Sequence, residues 1–329
     1  MITINQIAEE VGVSRSAVSH VLNGRGAKVG ESTRKEIEAV LQRHRYQRNG
    51  LVRALKAKRT FSLGVLLPSV RFSFYAQILD AMEVRARAQG YHLVMVQTHM
   101  DSGIIRSEIE HLRERRVDGF VVVPGHKEAE IYEWLKNSGD PLVFLDSHID
   151  GLEIPYIDSD DRQGAVLAAS HLLQAGHRKF LIHAAEEADR SPMALERLAG
   201  SYETLKAGGA KSIHVCRDGL FIEEGYRAVR SALDAGIKFT AVISSTDMAA
   251  IGAIRALQDA GLSVPDDVAV IGHGNLEEGK YITPALSTIH QSPDKMGAGA
   301  FELMMELLNS KGTPAPKIIP PELILRRST

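Results

Sequence analysis

Thirteen histidines, the acids Asp158, Asp160 and Asp161, and one cysteine are the residues whose types could catalyse a reaction or hold a metal. Zinc needs three or four ligands converging on one point. His171 and His177 lie six positions apart, which does not bring them to one helix face, and no other histidine adds a partner at a ligating spacing. No metal and no cofactor is therefore expected. The run Asp158-Ser159-Asp160-Asp161 precedes a helical pattern over Gly164–Leu173. Carboxylates placed there cap the helix and complement its dipole, a better fit than paired acid/base work. Neither a Ser-His-Asp order, a phosphate-cradling glycine loop nor a Gly-x-Ser-x-Gly turn occurs. Cys216 has no base or helix start beside it in sequence, and a single cysteine excludes an internal disulfide. The chain does not read as an enzyme.

The remaining chemistry is polyanion recognition. Residues 1–60 hold twelve Lys/Arg and five Asp/Glu, a net of +7, whereas the rest holds 27 bases and 36 acids, a net of −9. A compact basic module on an acidic body points to a polyanion bound at one end. Inside that module, Gln6 to Asn23 reads QIAEEVGVSRSAVSHVLN. Ile7, Ala8 and Val11 share one face of a short helix. Gly12 supplies the turn, where positive φ is needed. Ser14 can cap a second helix whose apolar face is Val18 and Val21. These spacings form a helix-turn-helix. In that motif the start of the second helix meets base edges in the major groove, which assigns base contacts to Arg15, Ser16 and, one turn on, His20. Two roles fit Arg15: a bidentate pair with guanine, or a grip on phosphate. Thr3, Ser14, Asn23, Ser32 and Thr33 stand at helix ends that would meet the DNA backbone. Glu31 to Arg43 forms a third helix, closing the small core through Ile37, Val40 and Leu41, with Tyr46 packing after it.

Ile2 to Tyr46, then Asn49 to Leu55 and LGVLLP at Leu63–Pro68, resemble the lactose/galactose-repressor family of bacterial transcriptional regulators. Later blocks extend the similarity over the whole chain: RRVDGFVVVP, HLLQAGHRK, RLAGSYETL, STDMAAIGAIRAL and PALSTIHQSPDKMG. His20 stands where the family usually has arginine, and Arg48 where a proline usually precedes the hinge. The first implies an altered operator base preference, the second a looser start to the hinge. The resemblance implies an all-α helix-turn-helix headpiece at 1–48, a hinge at 49–60 and a periplasmic-binding-protein-like (type I) effector domain at 61–329. Asn49 would cap the hinge against the DNA backbone. The ten residues from Asn49 to Lys58 are too few for a stable isolated helix. In the family, paired hinges enter the minor groove, with Leu55 as an apolar wedge and Arg53 beside it. Ordering such hinges through the effector domain would be the switch.

From residue 61, strand-like runs at Leu63–Leu67, His92–Val96, Phe120–Val123, Leu142–Leu145, Phe180–His183, Ala241–Ser244 and Val268–Ile271 alternate with helical stretches. This alternation predicts an α/β architecture of doubly wound parallel sheets. By the resemblance there are two lobes, the first over 61–158 and 288–316, the second over 159–287 and 317–329, with Ser287–Asn309 back in the first. A small-molecule effector would bind in the cleft between them, at the carboxyl ends of strands. Phe74, Tyr75, Asp146, Arg197 and Gln291 match the family's sugar-binding positions. Four positions depart: Phe72 replaces an asparagine, Ser147 an arginine, Thr246 an asparagine and Gly274 an aspartate. Phe72, Thr246 and Asn275 join the expected effector contacts. Phe74 and Tyr75 fit plain core packing as well as ring stacking. The losses imply an effector poorer in hydroxyls, or more apolar, than a free hexose, with Arg197 on a carboxylate or phosphate and Arg71 assisting. The same losses leave open a vestigial cleft that answers to no small molecule or to a protein partner.

Palindromic operator DNA requires a two-fold protein. The resemblance places a homodimer contact around Phe74–Arg87 and Met95–Leu112. No leucine heptad follows the last strand, so a dimer rather than a tetramer is expected. The first sixty residues carry charges throughout and lack an apolar signal core, and no run approaches eighteen apolar residues. The expectation is a cytoplasmic, nucleoid-associated repressor with no membrane partner.

Overall fold

The computed structural model describes residues 2–22, 28–44, 46, 59–99, 101–124, 129–149, 151–186, 192–309 and 312–329. The chain divides into two units, Met1–Thr60 and Phe61–Thr329.

The first unit contains α1 (Ile4–Val11), α2 (Arg15–Leu22) and α3 (Glu31–Arg43). Thr3 opens α1 through a reciprocal cap. Its hydroxyl accepts from the Gln6 N–H at 3.3 Å, and its own N–H donates to Gln6 Oε1 at 2.9 Å. Gly12 closes α1 in the left-handed region at φ 71°, as the turn requires. Ile7, Ala8, Val18, Ile37 and Val40 are buried together, with Val21, Leu41 and Tyr46 packed around them.

The second unit holds two six-stranded sheets. Strands β1 (Ser62–Leu67), β2 (His92–Gln97), β3 (Gly119–Val122), β4 (Leu142–Leu145) and β5 (Tyr156–Ser159) alternate with α4 (Ser73–Ala88), α5 (Ser102–Glu114) and α6 (Ala129–Asn137). Next come α7 (Asp161–Gln174), β6 (Lys179–Ala185), α8 (Pro192–Ala207), β7 (Ser212–Asp218), α9 (Ile222–Asp234), β8 (Ala241–Ser244), α10 (Asp247–Asp259), β9 (Ala269–His273) and α11 (Glu278–Tyr281). The chain finishes with β10 (Ser287–His290), α12 (Pro293–Asn309), β11 (Lys317–Ile319) and β12 (Glu322–Ile324). The sheet orders are β11-β5-β4-β3-β1-β2 and β12-β10-β9-β8-β6-β7. All pairings are parallel except β10 with β12.

Alternation along the strands explains why helices cover both faces. Leu63, Val65 and Leu67 of β1 enter one core with Val121 and Val143, while Leu66 enters another with Phe120, Val122 and Phe144. The second sheet divides the same way, Val242 to one side, Ala241 and Ile243 to the other.

Two expected lobe boundaries move. Ser287–Ile289 pair with Ile271–His273, and Ile289 is buried in the second lobe's core, so β10 belongs to the second lobe. The return to the first lobe therefore comes at Gln291–Ser292, after which α12 packs on α4. Lys317–Ile319 pair with Ile157–Ser159, so β11 belongs to the first lobe rather than the second. Both short strands lack the long β-branched runs that flank a helix, and only their hydrogen-bonded neighbours assign them to a sheet.

Candidate functional site

In the headpiece the start of α2 is built by its cap. The Ala17 N–H donates to Ser14 Oγ at 3.2 Å, which starts α2 and leaves Arg15 and Ser16 exposed in its first turn. Ser14 and Ser16 hydroxyls lie 2.8 Å apart. His20 follows one turn later, half-buried. Ser32, at the start of α3, donates to Glu36 at 3.2 Å, and Thr33 beside it is half-buried. The expected contacts Asn23, Asn49, Arg53 and Leu55 lie outside the described residues.

Between the lobes of the second unit is a cavity of about 370 Å³. Phe72, Phe74, Tyr75, Asp146, Arg197, Thr246 and Gln291 all line it, so seven of the eight expected effector contacts meet in one place. Asn275 does not. Its amide nitrogen lies 3.2 Å from His290 Nδ1, and its carbonyl oxygen accepts from Arg326 at 2.5 Å, which ties it to the far side of its strand end.

Two buried networks organise the cavity. In the first lobe the Tyr75 hydroxyl donates to Asp146 Oδ2 at 2.9 Å. Asp146 closes β4 with φ 61°, a left-handed conformation that costs a non-glycine residue about 1 kcal/mol. Burial, then the charges of Asp161 and Asp158, push the Asp146 carboxyl well above the usual range. Burial and Asp146 likewise push up the Tyr75 phenol.

In the second lobe Arg197 Nε donates to Asp161 Oδ1 at 2.7 Å and Nη1 to the Ser245 carbonyl at 2.8 Å. Gln291, at the second lobe crossing, donates to the same Asp161 oxygen at 3.3 Å. His273 Nε2 lies 3.4 Å from it. Burial opposes the charge of Asp161, but Arg197 and His273 outweigh it and hold the carboxyl below its ordinary value. Burial, then Arg197, lowers His273 to about 4. Asp247, at the start of α10, accepts from the Leu276 N–H at 2.7 Å and from the Thr288 hydroxyl. Burial raises it to about 6.

This geometry revises two roles. Thr246 lines the cavity, but its hydroxyl caps α10 through the Ala249 N–H at 3.1 Å and donates to the Leu220 carbonyl at 2.6 Å, so it is a structural cap. Arg197 is already paired with a buried carboxylate, so it does not offer an anion a full positive charge. The acid run also divides. Asp160 caps α7 by accepting from the Gln163 N–H at 2.8 Å, while Asp161, already inside the helix, turns to Arg197. Sequence reading missed Asp161, Asp247, His273 and Phe221 as site residues. Phe221 stacks on Phe72 with ring centres 4.7 Å apart and carries the Arg71 guanidinium over its ring at 3.8 Å. No linear spacing announces these pairings.

Among the described residues no group of three or more His, Cys, Asp or Glu could hold a metal ion, and no helix is long and apolar enough to cross a membrane. A helix-turn-helix unit joined in one chain to a two-lobed binding domain defines a class, that of bacterial transcription regulators with a ligand-binding body. Residues 3–49 match the model of bacterial regulatory proteins of the lacI family, and residues 169–329 that of the periplasmic binding protein-like domain. The chain belongs to the lacI family. It is 33% identical to the HTH-type transcriptional repressor PurR of Pectobacterium carotovorum, over 100% of this chain and 97% of that protein. The PurR of Pasteurella multocida is 32% identical over 100% and 98%. Among solved structures, the Lac repressor dimer bound to operator and the anti-inducer ONPF superposes with a TM-score of 0.87 at 26% identity, covering 100% of this chain and 99% of that one.

Proposed function

We propose that this chain is a sequence-specific transcriptional repressor that binds palindromic duplex DNA as a homodimer, in the cytoplasm, and whose operator affinity is set by a small molecule in the cleft. One observation carries the reading. The same chain presents Arg15 and Ser16 exposed at the capped start of a helix-turn-helix second helix and encloses a cavity of about 370 Å³ in its second unit. Arg15 reads a base edge, Ser16 and His20 adjust the preference, and Thr3, Ser14, Ser32 and Thr33 set the register on phosphates. Asn23 and Asn49 complete the backbone contacts, and Leu55 with Arg53 serves the minor groove.

Exposed apolar residues support the dimer. Val84 is 64% exposed, Met95 41% and Ile104 37%, on α4, β2 and α5, the surface expected to face a second copy. No catalytic role is assigned to any residue. A regulator with an unresponsive cleft is the second reading, favoured by the internal pairing of Arg197 and Thr246. The volume of the cavity supports the first.

The test is selection of binding sites from a random duplex library by the full chain. A palindrome is expected, with one base in each half-site losing its preference in Arg15→Ala. Unaltered selectivity in that variant would sink the major-groove assignment.

A further inference from the structure

The class of ligand can be argued from the charges of the cleft, on the proposal that the cleft is a ligand site. Among the described residues three charged groups line the cavity apart from histidines: Arg197, Asp146 and Asp247. Arg197 is compensated by Asp161 at 2.7 Å. Asp146 and Asp247 have no ion-pair partner among the described residues. Asp146 is 1% exposed, and its Oδ1 has no hydrogen-bond partner there, although Oδ2 accepts from Tyr75. Such an orphaned buried acceptor calls for a donor. Asp247 is fully buried and its carboxyl accepts from the Leu276 N–H and the Thr288 hydroxyl, which leaves Asp146 as the unsatisfied acid of the cavity. The aromatic walls are Phe72, Phe74 and Tyr75.

We infer that the cleft takes an organic cation, an amine or amidine on a compact apolar body, with its N–H groups on Asp146 and its body against Phe72, Phe74 and Tyr75. An ammonium supplies the counter-charge that Asp146 lacks, and aromatic faces attract it further. An anion would meet Asp146 and Asp247 and compete with Asp161 for Arg197. A sugar would find the Thr246 hydroxyl occupied and Asn275 turned away. Asp146 is faced by Tyr75, Asp158, Asp161 and Arg197, and Asp247 by Thr288, Arg197 and Arg326. Burial raises the Asp146 carboxyl, and a bound cation favours its ionised form, so binding should tighten as pH rises.

Calorimetric titration of the full chain with phenethylamine, benzamidine, phenethyl alcohol and hydrocinnamate tests this. Phenethylamine or benzamidine should bind at least about tenfold more tightly than the alcohol, as one charge-assisted hydrogen bond implies. Hydrocinnamate should not bind. Asp146→Asn should close the gap between amine and alcohol. Should that variant misfold, wild-type titration with benzamide, the neutral isostere of benzamidine, decides: it should bind at least about tenfold more weakly, and equal affinities would overturn the inference. An alcohol or hydrocinnamate binding as tightly as the cations overturns the inference and leaves the cleft a ligand site. Silence from all four overturns it too, and a silent screen of sugars and sugar acids would then remove the cleft reading as well.

Discussion

Arg15 on the headpiece and Arg197 in the cleft are the two arginines proposed for recognition, but their surroundings are opposite. Arg15 is exposed beside Ser16, on a helix end held by the cap of Ser14. Arg197 is 9% exposed and bound to Asp161 and the Ser245 carbonyl. The headpiece thus leaves its polar groups in water, ready to exchange water for a polyanion at little structural cost. The cleft spends most of its polar groups on one another, and what it leaves unsatisfied, the Asp146 oxygen above all, is the informative remainder. An exposed site advertises its ligand by what it displays. A buried one does so by what it leaves unpaired.

The sharpest way to break this contrast is to remove each arginine in turn. Arg197→Ala leaves the Asp161 charge buried, and denaturant unfolding of the full chain should show a loss of about 3–5 kcal/mol. The double variant Arg197→Ala with Asp161→Ala should recover part of that loss. A single-variant cost below about 1 kcal/mol would mean that the pair is not a structural unit.

The next effect is the pH dependence of stability, where two cleft groups act in opposite directions. The folded pKa of Asp247, about 6, lies above its ordinary 3.8. Its contribution is therefore fully present below the unfolded value and is lost as pH rises through 6. The folded pKa of His273, about 4, lies below its ordinary 6.5. That contribution is present above 6.5 and is lost as pH falls towards 4. Each amounts to on the order of 2–3 kcal/mol, so the wild-type profile between pH 4 and 7 should be flatter than either variant's. Asp247→Asn should lose stability on acidification relative to wild type, and His273→Gln should gain it. Parallel profiles in urea melts would show that neither group titrates as buried.

Smaller effects belong to the headpiece. Arg15→Ala should alter folding by less than about 0.5 kcal/mol, yet remove about 1–3 kcal/mol of base discrimination in competition binding. Thr3→Ala should cost the headpiece about 1 kcal/mol through its lost cap, measurable by hydrogen exchange of α1 amides.

The same contrast explains what could be read from the sequence. The turn at Gly12, the cap at Ser14 and the third helix over Glu31–Arg43 are local spacings, and each stands where the pattern put it. Seven strands were legible because β-branched runs alternate with helices. β5, β7, β10, β11 and β12 were not. β7 carries Ser212, His214, Arg217 and Asp218 on a half-exposed edge, and β10, β11 and β12 have only three or four residues each. Pairings across the fold were hidden for a stronger reason. Arg197 meets Asp161 across 36 positions, and Gln291 meets it across 130. No periodicity encodes such a meeting. The position of Arg197 on the cavity was legible, but its neutralisation was not. Asn275 was misplaced because the bend after β9 turns its amide towards Arg326, a contact made across 51 positions.

The most direct test of the central claim is the dissociation constant of the full chain for its selected operator, measured with and without whichever compound raises its melting temperature in a screen of cations, sugars and sugar acids. A change of at least about tenfold, equivalent to about 1.4 kcal/mol of coupling, is the result the account predicts. An operator affinity that stays the same while the cleft is demonstrably occupied would contradict it.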